Sequence, residues 1–308
     1  MGGAARLVWV FAFFIILSSI PCQVYSTSQL SEDYRYLRFP GATFEERRAN
    51  FLQHAIDYWG RSCSDPASVS DRTIQCVFPL LERGGESDLN IVENYILNYW
   101  EPERSDHGER AIGVRILLGY GNKISQEARE KIIKETVGNG NNALTTGCTP
   151  NMRFNDFAAY FLLTEEPEFA DREMKYKNVR CGGENFTYNG HTYIYNSDNY
   201  YNANQLTFDW LQFMMDRIVG NIELVGQRGL PWELRSNTYG YSYIEALTLL
   251  YDFADREGIV DRAKGELIKK KAKMVLDFLL LELGVNVGGA RAIAGNAGRN
   301  YPSRQFIG

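Results

Sequence analysis

Apolar residues recur at helical spacing through most of this chain, and that period predicts its elements. Phe44, Phe51, Ile56 and Trp59 fall among charges between Phe44 and Trp59. Leu89 to Trp100 is aromatic and apolar, and Pro102 stops it. His107 to Tyr120 carries Ile112, Val114, Leu117 and Leu118. Ser125 is placed to cap a helix over Gln126 to Val137, with an acid in its first turn and Gly138 after its end. Asn151 to Thr164, Asn202 to Val219, Tyr241 to Glu257 and Ile259 to Leu283 complete the helical set, with Gly258 as a break between the last two.

One segment has a different period. Glu184 to Asn196 alternates aromatic and polar residues around Asn189-Gly190, which predicts a β-hairpin inserted between helices. Two further stretches, Gly138 to Asn151 and Gly284 to Ser303, are polar and glycine-rich and are expected as long functional loops. Several helices are apolar over much of their circumference and need partners on more than one side. Two concentric layers of antiparallel helices meet that need. The expected fold class is mainly all-α, an α/α toroid-like domain with a small inserted hairpin. A globin-like or solenoid packing is the alternative, and the lack of a fixed-period repeat weakens the solenoid.

The N-terminus adds a destination. Arg6 precedes an apolar run from Leu7 to Ile20, and Val24-Tyr25-Ser26 offers a cleavage site before Thr27. These are the three parts of a secretory signal peptide, read here as residues 1–26. The run is shorter than the ~20 residues of a membrane span, so no stable membrane anchor is expected. Residues 27–308 then form one domain in a secreted or periplasmic protein. The chain stops just after the Arg299 loop, so the domain is expected to be either an open toroid or one interrupted at its C-terminus.

Cys63, Cys76, Cys148 and Cys181 follow the leader, an even count that favours disulfides in an exported chain. The shortest loops pair Cys63 with Cys76 and Cys148 with Cys181. No pair has the close spacing zinc prefers, so neither metal nor cofactor is expected. A formal net charge of -5 argues against a nucleic-acid partner. Asn185-Phe186-Thr187 is a glycosylation sequon, meaningful in a eukaryotic secretory pathway.

Three short stretches concentrate chemistry. Thr149 to Asp156 opens a helix with Asn151 and Asn155 one turn apart, where both can face one cavity, or where Asn151 simply caps the helix. Trp232 to Tyr241 gathers Glu233, Arg235, Asn237 and Tyr239, as a site or as a cap with core tyrosines. Gly295 to Pro302 holds Arg299 and Tyr301 among glycines, and Arg299 can clamp a carboxylate or pair with a structural acid.

In this order, the three stretches resemble motifs of the (α/α) toroid polysaccharide lyase-like proteins related to heparinase and alginate lyases. The resemblance covers roughly Thr149 to Ser303. It departs at Met152 and Ala297, where histidines are expected, and His191 in the hairpin is the substitute nearest to hand. It implies a secreted enzyme that cleaves uronic-acid-containing polysaccharide by β-elimination. Tyr239, Tyr301, Arg299 and His191 would then be catalytic, with Asn151, Asn155, Glu233, Arg235 and Asn237 binding substrate. A base takes the proton beside the uronate carboxylate, an acid protonates the leaving oxygen, and fixed donors hold the carboxylate. A glycoside hydrolase using Asp156 and Glu233 is the competing enzyme, since it needs two carboxyls across the scissile bond. Glycan binding without catalysis, through the 19 tyrosines and five tryptophans, is the third reading.

Overall fold

The computed structural model describes residues 73–102, 109–138, 143–144, 150–177, 184–220, 240–288 and 291–292, with scattered positions between 43 and 63. It is mainly helical, with short strands between the helices. The described residues fall into two compact units: one comprises Glu101–Gly121 and Arg129–Asn300, the other Asn122–Ala128 and the residues before Glu101.

In the smaller unit, α1 (Thr73–Arg83) and α2 (Glu86–Asn98) form a helical hairpin. Gly84 takes a positive φ of 68° in the turn between them. Arg83 closes that turn by donating from Nε to Asp88 Oδ2 at 2.6 Å and from Nη2 to Oδ1. Cys63 and Cys76 are joined in a disulfide, with Cα atoms 5.5 Å apart, as the shortest-loop pairing predicts. Cys148 and Cys181 lie outside the described residues, as does the leader. The helical period missed α1, because Pro79 sits inside it and removes one i→i−4 donor.

The larger unit is built around α5 (Pro150–Thr164). Pro150 occupies the opening position, where a missing N–H costs nothing, so Asn151 lies within the first turn and is not the cap. From Phe154 to Glu165 every residue is buried. Such a helix needs neighbours on all sides, and it has them. α3 (Glu109–Tyr120), α6 (Ala203–Gly220) and α7 (Gly240–Phe253) all pack on it, and α8 (Arg262–Asn286) packs on α6 and α7. Phe157 stacks on Trp210 of α6 with centroids 4.1 Å apart, and Phe154 meets Trp210 and Tyr243. α4 (Gln126–Ile133) starts at Ser125, whose Oγ accepts the Ala128 N–H at 3.2 Å, and ends in a π turn over Lys134–Gly138.

Two small sheets complete the unit. β1 (Ala143–Leu144) runs parallel to β2 (Glu173–Tyr176), and β5 (Tyr200–Asn202) pairs antiparallel with β2 on its other side. Strands of two to four residues are too short to show a period, so this sheet left no sequence signal. The expected hairpin is present: β3 (Phe186–Tyr188) pairs with β4 (His191–Tyr193) in the register Phe186↔Tyr193 and Tyr188↔His191. Asn189 and Gly190 both take positive φ, 47° and 81°, as a two-residue hairpin turn demands.

Several boundaries differ from expectation. α7 stops at Phe253, not Glu257, because Arg256 folds back, donating to Phe253 O at 3.2 Å and to Leu162 O at 2.6 Å. α8 runs through Gly284 to Asn286, and β6 (Val287–Gly288) pairs with β7 (Arg291–Ala292), so part of the expected Gly284–Ser303 loop is regular. β1 likewise lies within the expected Gly138–Asn151 loop. Gly258 is the break foreseen, with φ 83°.

Glu165 ties these helices together. Buried at the end of α5, it accepts from Asn204 Nδ2 at 2.5 Å and from the Asp261 N–H at 3.2 Å, and its backbone oxygen accepts from Val260. It so joins the starts of α6 and α8. Close behind, α8 approaches the end of α7 at Gly265, where an added Cβ would lie 2.0 Å from the Ala254 carbonyl oxygen.

Two substitutions test this packing by equilibrium denaturation. Phe157→Ala is expected to cost about 3–5 kcal/mol, the usual loss for a buried aromatic. Gly265→Ala, which would gain about 1 kcal/mol in an open helix, is expected to destabilise instead, because the clash is with backbone that cannot move aside.

Candidate functional site

The sequence period of α6 is broken by one carboxylate. Asp209 falls in Leu206-Thr207-Phe208-Asp209-Trp210-Leu211, where its neighbours belong to the core, and its side chain is fully buried. A buried carboxylate is tolerable only when its oxygens are filled by donors. The hairpin supplies three of them. His191 Nδ1 lies 3.0 Å from Oδ2, Tyr193 donates its hydroxyl to Oδ2 at 2.7 Å, and Asn189 Nδ2 donates to Oδ1 at 3.3 Å. Gln205, one helical turn back, donates the fourth at 3.1 Å.

The strand period explains how His191 and Tyr193 reach the same acceptor. They are two apart on β4 and point to one face. A neutral imidazole that donates its Nδ1–H to a carboxylate keeps its lone pair on Nε2. The His191 side chain is 54% exposed while Asp209 is 0% exposed, so the pair has one end in the core and one at the surface. This is the arrangement that makes imidazole an oriented base.

A second cluster flanks it. Tyr188, directly opposite His191 in the hairpin, donates its hydroxyl to Asp216 Oδ2. Lys271 from α8 reaches Asp216 at 2.7 and 2.9 Å and Tyr188 Oη at 3.2 Å. Gln205, Asp209 and Asp216 share one flank of α6 at spacings of four and seven, so a single helix face carries both carboxylates. Burial first, and then the hydrogen bonds to Asp209 and Asp216, push the phenols of Tyr193 and Tyr188 well above the ordinary tyrosine range. Both are neutral proton carriers at any ordinary pH. Beneath the hairpin Phe186 stacks on Tyr193, centroids 4.7 Å apart, and leans on Phe213 of α6 at 5.4 Å.

Of the described residues singled out by sequence, His191 alone stands in this site. Asn151 and Asn155 do share a face of α5, but both are buried. Asn155 Nδ2 donates to Asn151 O at 3.2 Å and to Ser242 O at 2.9 Å, stitching α5 to α7. Asp156, the proposed hydrolytic carboxylate, is buried against Arg110 at 3.1 Å. Glu233, Arg235, Asn237, Tyr239, Arg299 and Tyr301 lie outside the described residues. Sequence reasoning missed Asp209, Tyr193, Tyr188, Asp216 and Lys271. Asp209 had a readable signal, an acid inside an apolar helical run. Lys271 had none, since it lies 55 residues from its partner on an ordinary charged face.

A separate polar file lies inside the bundle, between α3 and α7. Arg115 Nη1 pairs with Asp252 at 2.7 Å and its Nη2 donates to Thr248 at 3.2 Å. Glu245 is buried on the same flank of α7, with Oε2 lacking a hydrogen-bond partner among the described residues. Burial, opposed by Arg115, pushes Glu245 up to about 8 and Asp252 up to about 6. This file has no exposed member among the described residues and reads as structural. Among those residues no group of three or more His, Cys, Asp or Glu is placed to hold a metal ion.

No protein-family model matches the chain, and no curated protein or solved structure matches it either.

The buried carboxyls predict a pH dependence. Both bind their protons more tightly in the folded state than in the unfolded chain, where carboxyls titrate near ~4. Their stabilising effect is therefore complete in acid and is lost as pH rises, through about 6 for Asp252 and about 8 for Glu245. Denaturation midpoints are expected to fall between pH 5 and pH 8. Glu245→Gln should flatten that slope and raise the midpoint at pH 8.

Proposed function

We propose that the hairpin face is the acid–base centre of an exported, toroid-type enzyme that cleaves uronic-acid-containing polysaccharide by β-elimination. The observation that carries this reading is the His191–Asp209 pair, an exposed imidazole held through Nδ1 by a fully buried carboxylate. A carboxylate in that position selects the tautomer with a free Nε2 and stabilises the imidazolium that forms on proton capture. The Cys63–Cys76 disulfide favours an oxidising compartment, in keeping with the N-terminal leader.

The reaction balances simply. His191 Nε2 takes the ring proton beside the uronate carboxylate. The C–H electron pair becomes the new carbon–carbon double bond, and the glycosidic C–O bond breaks. A phenol gives its proton to the leaving oxygen, and in this reading Tyr239 or Tyr301 joins the neutral phenol of Tyr188 as a candidate. In the same reading Arg299 would neutralise the substrate carboxylate and Glu233, Arg235 and Asn237 would bind substrate; all four lie outside the described residues. Hydrolysis is less well supported, because Asp209 and Asp216 are engaged by donors and Asp156 is buried in its ion pair.

One observation keeps a binding reading alive. Tyr200 is half exposed, and Lys175 Nζ sits 5.0 Å from its ring centroid, a surface on which a sugar ring of an acidic glycan can stack.

His191→Ala decides between the readings. It removes a half-exposed side chain, so the fold is expected to survive, as circular dichroism would check. Formation of unsaturated product from polyuronates is expected to fall by about 10²–10⁴-fold, the usual contribution of a general base. Full turnover in this variant would remove His191 from the mechanism. Glycan retention by a wild-type protein that yields neither unsaturated product nor new reducing ends would establish the binding reading.

A further inference from the structure

The hairpin that carries His191 has a second end, and a different chemistry converges there. Asn185-Phe186-Thr187 is the one Asn-x-Ser/Thr triplet in the chain whose middle residue is not proline. Asn196-Ser197-Asp198 and Asn189-Gly190-His191, its neighbours in the same region, lack the hydroxyl two residues on. We propose that Asn185 is an N-glycosylation site, carrying an oligosaccharide on Nδ2 at the open end of the hairpin; this rests on the export reading above and not on the lyase chemistry.

Four features of the structure meet the demands of that modification. Asn185 is exposed, in the extended pair of residues that leads into β3. Its Oδ1 accepts the Tyr195 N–H at 2.8 Å, which fixes the orientation of the amide. Nδ2 has no hydrogen-bond partner among the described residues. Thr187 is also exposed, and among the described residues its hydroxyl meets only that of Thr192 across the hairpin, at 3.1 Å.

The covalent step leaves the local hydrogen bond intact. Asn185 Nδ2 attacks the anomeric carbon of a lipid-diphosphate-linked oligosaccharide. The N–C1 bond forms, the C1–O bond to the diphosphate breaks, the nitrogen gives up one proton and the lipid diphosphate departs. The product is a secondary amide that still offers Oδ1 to Tyr195. A primary amide whose oxygen is committed and whose nitrogen is idle is thus suited to the change.

An oligosaccharide on Nδ2 does not obstruct His191. Three residue steps lead from Asn185 to Tyr188, about 10 Å at ~3.3 Å per step, and His191 stands opposite Tyr188 at the far end. The core-facing residue between the two sequon positions, Phe186, is buried and holds the strand in this orientation.

The test is expression of the full chain, with its own leader, in eukaryotic cells that glycosylate a control protein. The secreted wild type is expected to shift in mobility on treatment with peptide-N-glycosidase, and the peptide holding Asn185 to gain the mass of one deamidation. Asn185→Gln and Thr187→Ala should each abolish the shift, and Thr187→Ser should keep it. An unshifted secreted chain, a chain retained unmodified inside the cell, or a shift that survives Asn185→Gln overturns the proposal. None of these readouts depends on turnover, so a failed lyase assay leaves the outcome intact.

Discussion

Burial of α5 on every side is the constraint that the larger unit obeys. A helix with one apolar stripe needs one neighbour, whereas a helix buried all round must be enclosed. α3, α6 and α7 enclose this one, and α8 finds its place against two of them. The enclosure is filled largely by rings, with Phe157 flat on Trp210 and Phe154 between Trp210 and Tyr243. Aromatic contacts of this kind fix the rotation of one helix against the next, because a stacked pair has few equivalent arrangements.

Enclosure also sets the terms for polar groups. Asn151, Asn155, Asp156, Thr164 and Glu165 all lie on α5 or at its end, out of contact with solvent. Each must find donors or acceptors inside the protein, and several do so with residues far along the chain. Asp156 takes Arg110, Asn155 reaches Ser242, and Glu165 gathers Asn204 and Asp261. These contacts add directional demands to packing that hydrophobic surface alone would satisfy in several registers. The Arg115 file between α3 and α7 has the same character at a cost, since Glu245 keeps an oxygen without a partner among the described residues.

The helices were legible because their apolar periods run for ten residues or more, and the hairpin because Asn189-Gly190 names its own turn. α1 was hidden by Pro79, and the β1–β2–β5 sheet by strands too brief to carry a period. The end of α7 depended on Arg256 turning back to Leu162, a contact between residues 94 apart that no local pattern encodes. The site was half legible. His191 drew notice as one of three histidines, and its hairpin neighbours were readable as a strand. Its meaning came from Asp209, which only the docking of hairpin on helix brings within 3.0 Å. Asn151 and Asn155 show the opposite case. Their one-turn spacing is real, but the face they share is turned toward α7.

The site and the core differ in how far along the chain their partners lie. Arg115 and Asp252 are 137 residues apart, so their pairing awaits nearly the whole unit. Among the described residues, every donor to Asp209 comes from the stretch Asn189 to Gln205, the most distant only 20 residues away. Closing so short a loop is fast and entropically cheap. The Asp209 cluster can therefore assemble as soon as the hairpin meets the first turns of α6, before the long-range core is complete. It behaves as a cassette, one continuous segment of sequence that carries its own geometry. Such a segment is open to transplantation onto another helix, and it can vary in the course of evolution without any change in the bundle that holds it.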